Sequence, residues 1–295
     1  MKLAYHLLDV FTTQRLSGNQ LAVVMKADNL SDSQMQAIAR EFNLSETAFV
    51  KQPQFDRHAA AVRIFTPYQE LAFAGHPTIG AAAVVAATNR SSAIRLEEKL
   101  GIITCLVERP SRNVTHVRFS LPELPEHIAD LPDTDAIAAS LGIAPEDVGC
   151  GDLRPCVYAA GTVMHLIPVR DAAVLKRIKL ERSGWENLYV FGRGNIYIFT
   201  ATPEEPGNDY AARMFAPGIT FIEDAATGSA AGALIGLLAQ HMSDGTHDLK
   251  LRQGLEMRRA SLIEMQFTRA EGAVTRASIG GSAITFAEGT FELDS

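Results

Sequence analysis

Apolar and polar residues alternate along both ends of the chain, and a few segments replace that alternation with a helical period. LAYHLLDVF and LAVVM read as strands. SDSQMQAIAREFNL reads as a helix, with Ser31 and Gln34 forming a capping box and Met35, Ile38 and Phe42 an apolar stripe. ETAFV and AAVRIFT are rich in strand formers, and PTIGAAAVVAA is a small-residue helix with Pro77 in its first turn. AIRLEEKLGIITCLVE predicts a hairpin and NVTHVRFSL a further strand. SLPELPEHIADLPD, with its prolines and acids, reads as a crossover between two halves. The same order then returns: helix TDAIAASLG, strand VMHLIPV, helix AAVLKRI, strand NIYIFTAT, helix GSAAGALIGLLAQ and closing strands. Strands interleaved with single helices predict an α/β or α+β architecture with mixed sheets.

The return extends to residues. RIFTP at Arg63–Pro67 is matched by RMFAP at Arg213–Pro217, and Gly75-His76 opening one small-residue helix by Gly228-Ser229 opening the other. Two copies of one fold unit are expected. A glycine at a helix start lets backbone approach a ligand, and the unpaired amides of the first turn attract anions. Two such helix starts facing one cleft would cradle a small carboxylate. The glycines are equally explained by close packing of helix on sheet.

Composition narrows the function. Hydrophobic residues make up 47 % and charged residues 21 % of 295 positions, as in an ordinary globular protein. A net charge of −7 with no basic block argues against nucleic acid or an anionic membrane as partner. Cys105, Cys150 and Cys156 form no C-x-x-C pair, which speaks against a disulfide framework or a zinc site and for a reducing compartment. MKLAYHLLDVF lacks the features of a signal peptide and no apolar run is long enough to span a bilayer, so a cytoplasmic protein is expected.

Candidate chemistry is sparse. Glu46 opens an otherwise apolar strand, where desolvation would disfavour its charge as a neutral-pH general base requires; a solvated strand-end carboxylate explains it as well. His76 is a catalyst, or a capping or core histidine. Asp224, just ahead of the second glycine-led helix, reads as its N-cap, and Ser229 as a ligand contact or first-turn filler. GHPTIG has the frame of a phosphate loop, but Ala81 and Ala82 stand where its Lys and Ser/Thr belong. No His, Asp or Glu cluster has metal-ligand spacing, so no metal is expected. The three cysteines, His116 and His165 read as packing residues.

SGNQLAVV, LSDSQMQAIAREFNLSETAFV, RIFTP…ELAFAGHPTIGAA, RMFAP…EDAATGSAAGALIG and GGSAITFAEGTFEL together resemble the PhzF family of phenazine biosynthesis, which has the diaminopimelate epimerase-like fold. The resemblance runs in order through nearly the whole chain and is thinnest between Leu121 and Val190. It implies an α+β fold of two pseudo-symmetric halves, each a curved mixed sheet, an open barrel, around a central helix. The halves would be residues 1–122 and 123–280, with 281–295 as closing strands that are candidates to pack back on the first half. It implies a cofactor-independent isomerase of a small carboxylate-bearing metabolite, similar to the dihydro-hydroxyanthranilate isomerase of that family, and a homodimer. The catalytic positions would be Glu46, His76, Asp224 and Ser229, and the substrate-binding positions Ser45, Gly75, Thr227 and Gly228. Diaminopimelate epimerases place a cysteine before each glycine-led helix. Ala72–Gly75 and Asp224–Gly228 contain none, which excludes two-thiol racemisation. A binding protein that keeps the cleft without chemistry, or an epimerase lacking thiols, is the alternative.

Overall fold

Residues 1–89, 91–217 and 222–293 are described by the computed structural model, and the chain divides into two units, Met1–Pro122 with Ile279–Ser295, and Glu123–Ser278. The elements of the first are β1 (Lys2–Val10), β2 (Asn19–Val24), α1 (Asp32–Phe42), β3 (Glu46–Lys51), β4 (Ala60–Phe65), β5 (Glu70–Leu71), α2 (Gly75–Asn89), β6 (Ala93–Glu98), β7 (Gly101–Ser111) and β8 (Val114–Ser120). There follow β9 (Glu126–Asp130), α3 (Thr134–Leu141), β10 (Cys156–Ala159), β11 (Val163–Pro168), α4 (Ala172–Arg177), α5 (Trp185–Leu188), β12 (Ile196–Ala201) and β13 (Tyr210–Ala216). The chain ends with β14 (Ile222–Asp224), α6 (Gly228–Ala239), β15 (Gly245–Gln253), β16 (Ser261–Ala270) and β17 (Ala273–Glu292).

In the first unit β1 pairs antiparallel with β2, β2 parallel with β3, β3 antiparallel with β4, and β4 parallel with β6. Antiparallel β6–β7 and β7–β8 pairs continue the sheet. β17 pairs with both β8 and β1, running Lys2 opposite Glu292 to Val10 opposite Ala283. This corrects the open barrel expected from the sequence: the last strand satisfies the backbone groups of both edges and closes an eight-stranded mixed barrel.

The helices follow from their residues. The Ser31–Gln34 capping box forms, and α1 lays Met35, Ile38 and Ala39 against Leu3, Val24, Phe49 and Phe65. Asn43 ends it in the left-handed region at φ 50°, turning the chain so that β3 starts at Glu46. α2 is buried along its length from Gly75 to Ala86 and touches β1, β2, β3, β4, β6, β7 and β8, which explains its uniformly small, uncharged composition. A Cβ at Gly80 would stand 2.3 Å from Leu21 Cδ2, so the helix lies directly on β2.

The second unit repeats this grammar: β10–β11 antiparallel, β11–β12 parallel, β12–β13 antiparallel, β13–β15 parallel and β15–β16 antiparallel. α6 is wholly buried and packs on β9, β10, β11 and β16. Leu131, Val157, Ile167, Trp185, Ile196 and Phe215 belong to one hydrophobic core cluster of this unit. The proline-rich crossover is not structureless, because Glu126–Asp130 forms β9 against β10. Each unit also keeps one arginine in the same setting. Arg63 bonds Glu70 at 2.7 Å and stands over the Phe65 ring, 5.1 Å from its centroid. Arg213 bonds Glu223 at 2.8 Å and stands over Phe215, 4.9 Å from its centroid.

Candidate active site

In the first unit the parallel β2–β3 pair puts Leu21 opposite Glu46, so Asn19 and Gln20 lie beside the start of β3. α2, one turn before Gly80, brings His76 to the same place. His76 Nε2 lies 3.3 Å from Glu46 Oε2, at ion-pair distance but off the line of a hydrogen bond. The His76 side chain is 4 % and the Glu46 side chain 16 % exposed, so the imidazole is enclosed while the carboxylate keeps a face to the outside. On the other side of the ring, Asn19 Nδ2 is 3.3 Å from His76 Nδ1, and Ser45 Oγ donates to Asn19 Oδ1 at 3.3 Å. The Asn19 amide and the Gln20 backbone are thus polar neighbours of the ring besides Glu46. Burial holds His76 far below its ordinary pKa, at about 3, against the opposing pull of the Gln20 backbone. The imidazole is therefore neutral at physiological pH, and a neutral imidazole beside a carboxylate is able to pass a proton.

Asn19 owes its place to Gly18. Gly18 has φ +67°, and a Cβ there would fall 2.3 Å from the Val10 carbonyl oxygen, so only glycine makes this turn. Gly75 begins α2, and the first helical bond, Thr78 N–H to Ala74 O at 3.2 Å, leaves the first-turn amides ahead of it.

In the second unit Asp224 ends β14, half-buried, and accepts a hydrogen bond from Thr227 Oγ1 at 2.5 Å. It is not the N-cap of α6: Thr227 holds that position, with no side-chain cap bond, because its hydroxyl is committed to Asp224. Gly228 and the buried Ser229 form the first turn, ahead of the first helical bond from Ala231 N–H to Thr227 O at 3.1 Å.

The turn from Asp224 to Gly228 is held by Gln253, which the sequence did not single out. Gln253 Oε1 accepts from Tyr197 Oη–H at 2.9 Å and from Thr227 N–H at 3.1 Å. Its Nε2 donates to the Asp224 carbonyl at 2.8 Å and to Thr227 Oγ1 at 3.0 Å. The amide thus uses its full capacity of two donors and two acceptor sites, with 1 % of the residue exposed. Burial and the charge of Asp224 push the Tyr197 phenol well up, so it stays a donor. Gly254, at φ +77°, lets the chain pass Ala225, whose oxygen would lie 2.6 Å from any Cβ. The sequence signal available for Gln253 is a polar residue on the same strand face as buried Leu251.

Among the described residues no group of three His, Cys, Asp or Glu side chains is gathered as a metal would need, and no helix is long and apolar enough to cross a membrane. All three cysteines are free, and burial pushes the Cys105 and Cys156 thiols up.

The first unit thus sets a buried imidazole against a carboxylate in an α+β chain that contains a mixed barrel. The model of the family PhzC-PhzF, described as phenazine biosynthesis-like protein, matches residues 8–289, and the chain belongs to this family. An uncharacterized isomerase of Mesorhizobium japonicum is 40 % identical over 97 % of either chain. The trans-2,3-dihydro-3-hydroxyanthranilate isomerase of Pseudomonas chlororaphis is 34 % identical over 98 % of this chain and 99 % of its own. A solved PhzF-family structure from Bacillus anthracis superposes with a TM-score of 0.88, covering 99 % of this chain and 100 % of its own at 22 % identity. The protein is an isomerase of this family.

Proposed function

We propose that the protein isomerises a small amino- or hydroxy-carboxylate by moving one proton between carbons without a cofactor. Trans-2,3-dihydro-3-hydroxyanthranilate, the compound named for the Pseudomonas chlororaphis relative, is the first substrate to test. Glu46 as carboxylate takes a proton from a carbon next to a π system. The C–H electron pair moves into that system, and the proton returns to a second carbon, so atoms and charge balance. The observation carrying this reading is the 3.3 Å approach of Glu46 Oε2 to a buried, neutral His76. His76, Asp224 and Ser229 hydrogen-bond substrate heteroatoms. Ser45 and Thr227 support them, and the amides around Gly75 and Gly228 bind the carboxylate. Two-thiol racemisation is not part of the proposal, since no cysteine lies in either glycine-led turn.

The reading takes the two units as copies of one ancestral unit, each with a sheet around a central helix. The shared order of strand pairings and the twin settings of Arg63 and Arg213 support it. It also takes the protein as a cytoplasmic homodimer, for which light scattering coupled to gel filtration is the test. Glu46→Gln removes the base while keeping the shape. Turnover of the true substrate should fall by roughly 100- to 10,000-fold, and unchanged turnover would remove Glu46 from the mechanism.

A further inference from the structure

Glu98 occupies an inward position of β6. Ile94, Leu96 and Glu98 are the buried residues of this alternating strand, so a carboxyl stands where the pattern asks for an apolar side chain. Its Oε1 lies 2.7 Å from Thr78 Oγ1, and the same hydroxyl oxygen lies 2.8 Å from the Ala74 carbonyl oxygen. A threonine hydroxyl carries one proton, and a carbonyl oxygen only accepts. Both contacts are hydrogen bonds at once only when Thr78 donates to Ala74 and Glu98 donates to Thr78, which requires a protonated carboxyl. Ionised, Glu98 would take the Thr78 proton for itself and leave the Ala74 carbonyl facing a lone pair. Burial pushes the Glu98 carboxyl up to about 8, against the pull of Thr78. Its Oε2 has no hydrogen-bond partner among the described residues, a state far costlier for a carboxylate than for a neutral acid.

We propose that Glu98 is a positioning residue: as a neutral acid it orients the Thr78 hydroxyl toward Ala74 and thereby holds the turn that presents Gly75 and His76. The proposal rests on His76 being part of the site. The ionisable groups on the packed elements are few. α2 carries only His76, and β4 carries Arg63, bound to Glu70 and Asp32. β7 carries Cys105, Glu108 and Arg109, of which Cys105 is the one within reach of the Glu98 charge. On β6 itself Glu97 bonds His58.

Carbon-13 labelling of glutamate carboxyls, assigned with Glu98→Gln, follows Glu98 by NMR without reference to activity. A carboxyl protonated at pH 7 is expected, and one ionised at pH 7 overturns the proposal. The His76 ring signals should move with the Glu98 titration in the wild type and lose that step in Glu98→Gln; signals that ignore it overturn the proposal. In turnover, Glu98→Gln keeps a donor to Thr78 that does not titrate, so it should retain neutral-pH activity and lose the alkaline decline of the wild type. Glu98→Ala should lose roughly 10- to 100-fold, as displacement of a catalytic group by about 1 Å does. An alkaline decline identical in Glu98→Gln overturns the proposal. Full activity in Glu46→Gln would sink the functional reading while leaving the NMR result on Glu98 standing.

Discussion

Replacing Gln253 by Leu removes one buried amide at nearly constant volume, so its cost isolates the polar network around Asp224. Four hydrogen bonds disappear: two into Oε1, from Tyr197 and the Thr227 amide, and two from Nε2, to the Asp224 carbonyl and Thr227 Oγ1. The Thr227 hydroxyl keeps its bond to Asp224. The Tyr197 hydroxyl, the Thr227 amide and the Asp224 carbonyl are left without these partners in a largely buried region. Each buried polar group so orphaned costs about 1–3 kcal/mol, and with incomplete additivity the sum is about 3–6 kcal/mol. At about 2 °C per kcal/mol for a chain of this size, the unfolding midpoint should fall by roughly 6–12 °C. Differential scanning calorimetry and urea titration read this directly. Turnover should fall with it, because Asp224 and the start of α6 lose their brace. A Gln253→Leu protein within about 1 kcal/mol of wild type would refute the network as the element that holds this turn.

Acid stability should depend on His76. Its folded-state pKa is depressed to about 3 from 6.5, so as pH falls from 6.5 toward 3 the unfolded chain binds a proton that the folded chain refuses. Stability is lost across that window at up to about 1.4 kcal/mol per pH unit, and His76→Gln should flatten the slope by one proton; an unchanged slope refutes the neutral burial of His76. Glu98 works from the other side. Its raised pKa, about 8 against 4.5, means that stability drains as pH rises from 4.5 through 8, so Glu98→Gln should gain on wild type across that range in urea titrations. Gly18→Ala forces a side chain into φ +67° against the Val10 carbonyl; it should cost at least about 2 kcal/mol, and a neutral result in thermal denaturation would show that the turn has another solution. Arg213→Met should destabilise by about 3 kcal/mol, since Arg213 is buried against Glu223 and the carbonyls of Leu175 and Ile178, whereas Arg63→Met at its more open site should cost about 1 kcal/mol; equal losses would contradict the difference in burial.

Much of the scaffold is written in local pattern. α1 declares itself through its capping box and stripe, and β7 through the alternation that buries Ile103, Cys105 and Val107. α2 and α6 are legible as small-residue runs after a glycine. β9 is not, because Glu126–Asp130 is almost wholly exposed and carries no apolar alternation; only its pairing with β10 makes it a strand. The closed barrel depends on β17 meeting β8 and β1, a contact between chain ends that no local window contains. The residues that brace the site were hidden for a related reason. Asn19, Glu98 and Gln253 are polar side chains at inward strand positions, and their meaning comes from partners distant in sequence. Glu46 and His76, thirty positions apart, meet only because β2 and β3 run parallel and α2 lies across β2.

Solvent-deuterium incorporation during turnover in D2O reads out whether Glu46 moves a proton between carbons. Wild-type protein given trans-2,3-dihydro-3-hydroxyanthranilate and a panel of small amino- and hydroxy-carboxylates should place deuterium at the accepting carbon of one of them, and Glu46→Gln, folded to the same stability, should abolish it. Equal incorporation by both proteins, or a product in which neither deuterium nor the substrate's own hydrogen has arrived at the accepting carbon, would contradict proton transfer by Glu46.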